Sequence, residues 1–136
     1  MPSLFVIKAD LKNPQEWYDQ KFENTVPWEY GETQKAYRSG SVYLSERRGC
    51  TAFEDLSESV FYGWPTESWK RLADAGELLY GFYNEDAIEA EFIHIRDGVC
   101  VREYRAYGGE IEIDEGASPA FEDWADVCAY IDETLL

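Results

Sequence analysis

The stretch "AIEAEFIHIRDGVCVREYRAY", residues 87–107, decides the fold class. Apolar and polar residues alternate on both sides of Asp97-Gly98, and a period of two is typical of half-buried strands. An Asp-Gly pair between two such runs predicts a two-residue turn, because both central residues of a type I′ turn need a positive φ. The stretch is therefore predicted to form an antiparallel hairpin.

The hairpin also predicts the positions of His94 and Cys100, the first residues to suggest chemistry. A two-residue turn places His94 opposite Val101, on the same face as Phe92. Cys100 and Tyr104 then lie on the other face. Because His94 and Cys100 point in opposite directions, they cannot form a local nucleophile–base pair. We therefore predict that His94 is a structural residue of the sheet.

The segments around this hairpin predict the remaining elements. Apolar runs predict strands at 3–9, 42–44, 58–65, 77–83 and 110–114, and helical periodicity predicts helices at 13–23, 66–76 and from 118 onward. Asn13 is the predicted N-cap of the first helix, with Glu16 as its capping-box acid, and Ser118 is the predicted N-cap of the last. The predicted fold is α+β, with a mostly antiparallel sheet of about five to seven strands and about three helices packed on it.

Length and composition indicate one soluble domain spanning residues 1–136. The hydrophobic fraction of 45% and the aromatic fraction of 16% support a core despite a net charge of −16. No apolar run approaches the ~18 residues of a membrane helix, and the first residues do not resemble a signal peptide. The three cysteines, Cys50, Cys100 and Cys128, are widely separated and odd in number, which favours a reducing compartment and a cytoplasmic protein.

The charge is concentrated in the second half of the chain. Residues 1–71 contain 11 acids and 9 bases, a net charge of −2, whereas residues 72–136 contain 17 acids and 3 bases, a net charge of −14. The negative charge of residues 72–136 repels nucleic acids and anionic membranes and attracts basic proteins. We therefore expect a basic protein partner and neither a nucleic acid nor a membrane.

The acids culminate in "GGEIEIDEGASPAFEDWADV", residues 108–127. As a strand, this stretch would project Glu110, Glu112 and Asp114 to one side, about 6.6–6.8 Å apart, and turn Ile111 and Ile113 toward the core. The amphipathic helix that follows adds further acids near its start, where the helix dipole favours negative charge. The sequence thus predicts a continuous negative face across a strand and a helix start.

The same acids do not match a calcium-binding loop. Counting from Glu110, the sixth residue is Glu115, where an EF-hand needs glycine, and the twelfth is Phe121, where it needs glutamate. One histidine and scattered cysteines form no zinc pattern, and no phosphate-binding glycine loop occurs. We predict no metal, no cofactor and no catalytic residue.

Two interpretations of the negative face remain open. It is either a solvated edge that protects the strand from aggregation or a docking face for a basic protein. For the second, the candidate contact residues are Glu110, Glu112, Asp114, Glu115, Glu122, Asp123 and Asp126, with Trp28, Tyr30 and Tyr107 as aromatic anchors.

The order "FYGWPTESWKRLADAG", "LYGFYNED", "AEFIHIRDGVCVREYRAY" and "FEDWADVCAYID" resembles small immunity proteins of bacterial polymorphic-toxin and contact-dependent inhibition systems. The stretch most like them is residues 92–107, and the similarity extends loosely over residues 58–133. The resemblance implies a cytoplasmic, non-enzymatic protein that binds one toxin domain and blocks its active cleft. Because contact residues vary freely among such proteins, it transfers no contact position to this chain.

Other classes of function are weighed beside this one. A DNA-mimic inhibitor fits the predicted acid spacing, since two base steps of duplex also advance ~6.8 Å. A small enzyme could use two facing carboxylates, one with a raised pKa. A small-ligand-binding domain would need an enclosed cavity lined by aromatic residues.

Overall fold

The computed structural model describes residues 2–8, 11, 13–22, 28–30, 42–47, 49–56, 58, 60–74 and 76–136. Within the helices and strands, the side chains of residues 15, 19, 22, 28–30 and 47 lie outside this description. The chain runs through β1 (Ser3–Ile7), α1 (Pro14–Phe22), β2 (Trp28–Tyr30), β3 (Val42–Arg47), β4 (Cys50–Asp55), α2 (Thr66–Ala73), β5 (Glu77–Asn84), β6 (Glu89–Arg96), β7 (Val99–Tyr107), β8 (Glu110–Glu115) and α3 (Trp124–Thr134).

The strands form one sheet in the order β2-β3-β4-β1-β5-β6-β7-β8. Each neighbouring pair is antiparallel except β2 with β3. The predicted α+β class is confirmed: seven strands form an antiparallel sheet beside three described helices, and the short β2 adds a parallel strand at one edge. This order places β8 at the other edge.

The helices cover both faces of the sheet. On the face here called face A, α1 and α2 bury Tyr18 and Trp69 against a core that includes Tyr80. On the opposite face, face B, α3 buries Val127 and Ile131. α3 packs so closely that a Cβ on Gly81 would lie 2.8 Å from the Ile131 side chain, so Ile131 and Leu135 would have to shift to admit a larger residue at this point of β5.

The predicted hairpin is confirmed at its turn. Asp97 and Gly98 have φ values of 53° and 76°, and Ile95 lies opposite Cys100. Cys100 packs against the core of face A, so it points away from His94 as predicted.

The hairpin register then shifts, which corrects one part of the prediction. His94 lies opposite Arg102 rather than Val101, because a β-bulge adds one residue to β7. The extra residue moves every later side chain of β7 to the other face. Tyr104 therefore lies opposite Phe92 on face B, and Arg105 points to face A.

The helix starts were predicted with mixed success. The predicted pairing of Asn13 with Glu16 at the start of α1 is confirmed. Asn13 Oδ1 accepts from the backbone amide of Glu16 at 3.1 Å, and the side-chain amide of Asn13 donates to the Glu16 carboxylate at 3.4 Å. Ser118 is not the N-cap of α3. The helix begins at Trp124, and Asp123 caps it by accepting from the amides of residues 125 and 126.

The predicted strand at 58–65 is wrong, because the described residues of this segment form bends and turns. The carboxylate of Asp55 accepts a hydrogen bond from the amide of Val60 at 2.6 Å and turns the chain away from the sheet. Gly63 then adopts a φ of +74°, which favours glycine. The resulting loop, residues 60–65, lies over face A.

In the described part of the chain, no helix is both long and apolar enough to cross a membrane. Cys50, Cys100 and Cys128 form no disulfide bond with one another.

Candidate functional site: an acidic sheet edge and its flanks

The acidic edge is formed by β8, the last strand of the sheet. Glu110 lies opposite Tyr107, Ile113 opposite Arg105 and Asp114 opposite Tyr104, with a register shift that leaves Glu112 as an extra residue. Opposed side chains in an antiparallel pair project to the same side of the sheet. Glu110 therefore lies on face A and Asp114 on face B.

This arrangement corrects the prediction that Glu110, Glu112 and Asp114 share one side. The β-bulge breaks the period of two on which the prediction rested. Ile111 is also 46% exposed rather than turned into the core, because β8 lies at the sheet edge. Carboxylates consequently project from both sides of the edge instead of forming one row.

Arg102 fixes the end of β8 from face B of the sheet. Its side chain is 1% exposed and forms a 2.8 Å ion pair with Asp114. The guanidinium donates to the backbone carbonyls of Glu115 and Pro119, each at 2.7 Å, and lies 5.0 Å from the centre of the Phe121 ring. A buried, fully charged arginine thus holds the acidic segment in a non-helical path up to the start of α3.

Gly116 allows this close approach. A Cβ at this position would lie 2.3 Å from the carbonyl oxygen of Val101, and its φ is +93°. Both features exclude ordinary side chains. The turn between β8 and α3 is therefore fixed by a glycine as well as by Arg102.

The seven predicted acids fall into two groups. Asp114, Asp123 and Asp126 have intramolecular partners, the last by accepting from the amide of Glu122 at 2.7 Å. The other four are exposed, and among the residues that the structure describes their side chains form no hydrogen bond or ion pair: Glu110, Glu112, Glu115 and Glu122. The second group is therefore the part of the predicted site available to a partner.

A buried polar network supports the edge on face A. The Glu91 carboxylate is fully buried and accepts hydrogen bonds from Tyr80 at 2.7 Å, from the amide of Gly63 at 3.2 Å, from Arg105 at 3.0 Å and from Tyr107. Burial raises the pKa of both tyrosines, and the hydrogen bond from each to Glu91 raises it further.

Arg105 completes this network. It donates to Glu103 at 2.9 Å and to the backbone carbonyl of Trp64 at 2.7 Å, in addition to Glu91. Burial alone would lower the pKa of the guanidinium, but these carboxylates and the neighbouring Tyr107 raise it above its usual value. The network pins the loop at residues 60–65 to the sheet.

Tyr62 is the exposed aromatic residue that sequence reasoning missed. It is 41% exposed, its ring lies edge-on to Tyr107 at 6.1 Å, and its hydroxyl donates to Glu89 at 2.7 Å. Partial burial, the bond to Glu89 and the charges of Glu91 and Glu112 raise its pKa to about 12. Gly63 beside it was the available signal for a turn instead of a strand.

The structure leaves few exposed cations near the edge. Residues 72–136 contain three bases, and two of them, Arg102 and Arg105, are buried at 2% and 6% exposure and bound to carboxylates. The third, Arg96, lies at the turn that joins β6 to β7, opposite the end where β7 turns into β8. The surface that residues 72–136 contribute at β8, the β5–β6 turn and the start of α3 is therefore strongly negative. Among the described residues of the first half, the exposed Lys8 lines a separate pocket at the other end of α3.

The other predicted positions contribute differently. Tyr107 is half-buried and bound to Glu91, so only part of its ring faces solvent. Trp28 and Tyr30 belong to β2 at the far edge, and their side chains lie outside the described residues. His94 Nε2 lies 2.7 Å from the Glu77 carboxylate, within the sheet.

Among the described residues, no group of three or more His, Cys, Asp or Glu side chains is arranged to hold a metal ion. The chain has no significant match among models of known protein families, curated protein sequences or solved structures.

Proposed function

We propose that this protein is an immunity-type inhibitor, which binds a bacterial toxin domain and occludes its basic active cleft. The main support for the proposal is the burial of Arg102 and Arg105, two of the three bases in residues 72–136. Arg102 and Arg105 are enclosed by acids, so the exposed part of residues 72–136 is even more one-sided in charge than the sequence count. Such a field accelerates the approach of a basic partner.

The rigidity of the edge also supports a binding role. The buried network around Arg102 fixes the end of β8 and the turn after it, and the network around Glu91 fixes the loop at residues 60–65, before any partner arrives. A surface that is already ordered loses less conformational entropy on binding, which favours affinity. A purely solvated edge needs no such internal support.

Exposed apolar residues lie among the carboxylates. Tyr62, Ile88 and Ile111 are 41%, 40% and 46% exposed. Ile88 belongs to the β5–β6 turn, and its carbonyl accepts from the amide of Gly109 beside β8. Central apolar anchors surrounded by charge are typical of binding surfaces, in which anchors supply affinity and charges supply steering.

The proposal predicts that the neighbouring gene encodes a protein that ends in a toxin domain, and that domain is used for the test. We expect co-expression of the wild-type protein to restore growth of cells that produce the toxin domain, and the two proteins to co-purify. The variant Glu110→Gln/Glu112→Gln/Glu115→Gln should protect less, because it removes three exposed charges of the edge.

The matched control neutralises three exposed acids elsewhere: Glu46→Gln/Asp74→Asn/Asp97→Asn. This variant has the same net charge as the edge variant, so equal loss of protection in both would indicate a general charge effect. Failure of the wild-type protein to protect or to co-purify contradicts the proposed function.

The DNA-mimic alternative loses its main support in this structure. The bulge at Glu112 and the placement of Glu110 and Asp114 on opposite faces interrupt the regular acid spacing on which it depended. A DNA mimic would be displaced by duplex DNA from many DNA-binding proteins, whereas an immunity-type protein should bind one toxin domain.

One observation bears on the enzyme alternative. Burial and the nearby charge of Asp55 raise the pKa of Glu58, although the charge of the chain's N-terminus opposes this shift. The Asp55 carboxylate, however, already accepts from the amides of Val60 and Phe61 and so has a structural role. A hydrolytic activity abolished by Glu58→Gln would favour an enzyme over an inhibitor.

A further inference from the structure

A groove of about 540 Å³ runs along the exposed side of α3. Its lining includes two aromatic residues, one small residue and three acids: Phe121, Tyr130, Ala129, Glu122, Asp126 and Glu133. It lies on face B, beyond the segment that Arg102 holds.

The helix presents one continuous side to this groove. Asp126, Ala129, Tyr130 and Glu133 are spaced i, i+3, i+4 and i+7, so they share one side of α3 over about 10 Å, or two turns. Ala129 is exposed and lies between the two acids. A small residue in the middle of a helix face lets a second helix approach to the usual interaxial distance of ~8–10 Å.

The floor of the groove is aromatic and rests on the core. Phe121 is 8% exposed and lies edge-on to Tyr130 at 5.8 Å, and both rings contact the buried Phe92 at 5.6 Å and 5.3 Å. These contacts hold the floor in place. An apolar side chain entering the groove would meet a preformed surface.

All the charged side chains that line the groove are acidic. Glu122, Asp126 and Glu133 line the groove, and the sequence has no Lys or Arg from residue 106 to residue 136. A second copy of this chain would bring the same acids and be repelled. A basic occupant would complement the negative charge of the rim, while its apolar residues would pack on the aromatic floor.

We propose that this groove binds a basic amphipathic helix of the partner, with Ala129 at the point of closest approach. This inference rests on the proposed function and assigns part of the partner's contact to α3 in addition to β8. Recognition follows the helix-in-groove mode, in which apolar side chains enter the groove and flanking charges fix the register.

The test uses synthetic peptides and the full chain. The probe is an amphipathic helical peptide with leucines on one side and arginines beside them, and its control has the same composition in scrambled order. We expect the amphipathic peptide to bind at least about tenfold more tightly, because only it presents both features together. Fluorescence anisotropy of labelled peptides measures both affinities.

Ala129→Trp fills the groove and should remove this preference. Gln20→Trp is the matched control, because Gln20 is an exposed, uncharged residue of α1 on the opposite face of the sheet from α3, and it should leave the affinity within about twofold. Glu122→Gln/Glu133→Gln should weaken binding about three- to tenfold without changing the groove's shape. Thermal unfolding of each variant checks that the fold is retained.

Equal binding of the two peptides, or unchanged binding by Ala129→Trp, overturns the groove assignment. Equal loss of peptide binding in Ala129→Trp and Gln20→Trp overturns it as well. If Ala129→Trp protects against the toxin domain as well as the wild type, the assignment fails and the proposed function stands. If the wild type binds the peptide in the groove but gives no protection, the proposed function fails instead.

Discussion

Glu91 and Arg105 lie directly opposite each other on β6 and β7 and form a buried ion pair of 3.0 Å. The same two side chains also bind the loop at residues 60–65, through the amide of Gly63 and the carbonyl of Trp64. One ion pair therefore joins the sheet to the loop that carries Tyr62. The aromatic part of the candidate site depends on this connection.

Replacing Glu91 should cost much more stability than replacing its half-buried neighbour Glu89. Glu91→Ala removes the buried acceptor of four donors and leaves Arg105 with only Glu103 and the Trp64 carbonyl, and we expect a loss of about 3–5 kcal/mol in the free energy of unfolding. Glu89→Ala removes a half-buried partner of Tyr62 and should cost less than about 1 kcal/mol. Urea denaturation measures both, and equal losses would contradict the structural role of Glu91.

The tyrosine pKa shifts predict how stability depends on pH in the alkaline range. The pKa of Tyr62 is raised to about 12, and those of Tyr80 and Tyr107 are also raised, so the folded state holds these protons where the unfolded state, with a pKa near 10, has lost them. Stability should be unaffected by these groups below about pH 9 and fall as pH rises above about 10.

Glu89→Gln gives a site-specific check of this shift. It removes the negative charge that opposes ionisation of Tyr62, so the pKa of Tyr62 should move down from about 12. NMR titration of labelled tyrosine measures the change, with the buried Tyr80 as the internal control. A Tyr62 pKa that is unchanged in the variant would contradict the bond to Glu89.

The hairpin could be predicted from the sequence because a period of two and an Asp-Gly turn are local signals. The two bulges could not, since nothing in the alternation of residues 99–115 marks the extra residues. Each bulge reversed the face of the side chains beyond it, which moved Tyr104 and separated Glu110 from Asp114. The strands were therefore predictable and the arrangement of the acids was not.

The negative charge of the candidate site could be predicted from the sequence, but the buried arginines that hold it in place could not. Arginine is usually exposed, so the sequence gives no reason to expect Arg102 and Arg105 in the interior. Their burial depends on partners 12–41 residues away in sequence, such as Asp114 for Arg102 and Trp64 for Arg105. No local pattern indicates such pairs.

The start of α3 can be tested by comparing the observed N-cap, Asp123, with the predicted one, Ser118. Asp123→Ala should destabilise the protein by about 1 kcal/mol, because two backbone amides lose their acceptor. Ser118→Ala, at the position predicted from the sequence, should change stability by less than about 0.5 kcal/mol, since Ser118 is exposed. The opposite order in thermal unfolding would place the helix start at Ser118.

Gly116→Ala tests the close packing between the acidic turn and β7. The added Cβ would meet the Val101 carbonyl at 2.3 Å, so we expect a loss of about 2–4 kcal/mol in stability. Gly108→Ala is the matched control, because its φ of +61° is also positive but no atom lies within 4 Å of the added Cβ. Its loss should be near 1 kcal/mol. Equal losses would show that backbone strain alone is responsible.

If the acidic edge attracts a basic toxin domain, long-range charge must accelerate their association. The rate constant for binding the toxin domain that the proposal predicts in the neighbouring gene's product is measured by stopped-flow fluorescence at increasing salt concentration. We expect the wild-type rate to fall at least about tenfold between low and high salt. Glu110→Gln/Glu112→Gln/Glu115→Gln should associate more slowly and depend less on salt. A wild-type rate independent of salt, or unchanged in the variant, would contradict the account.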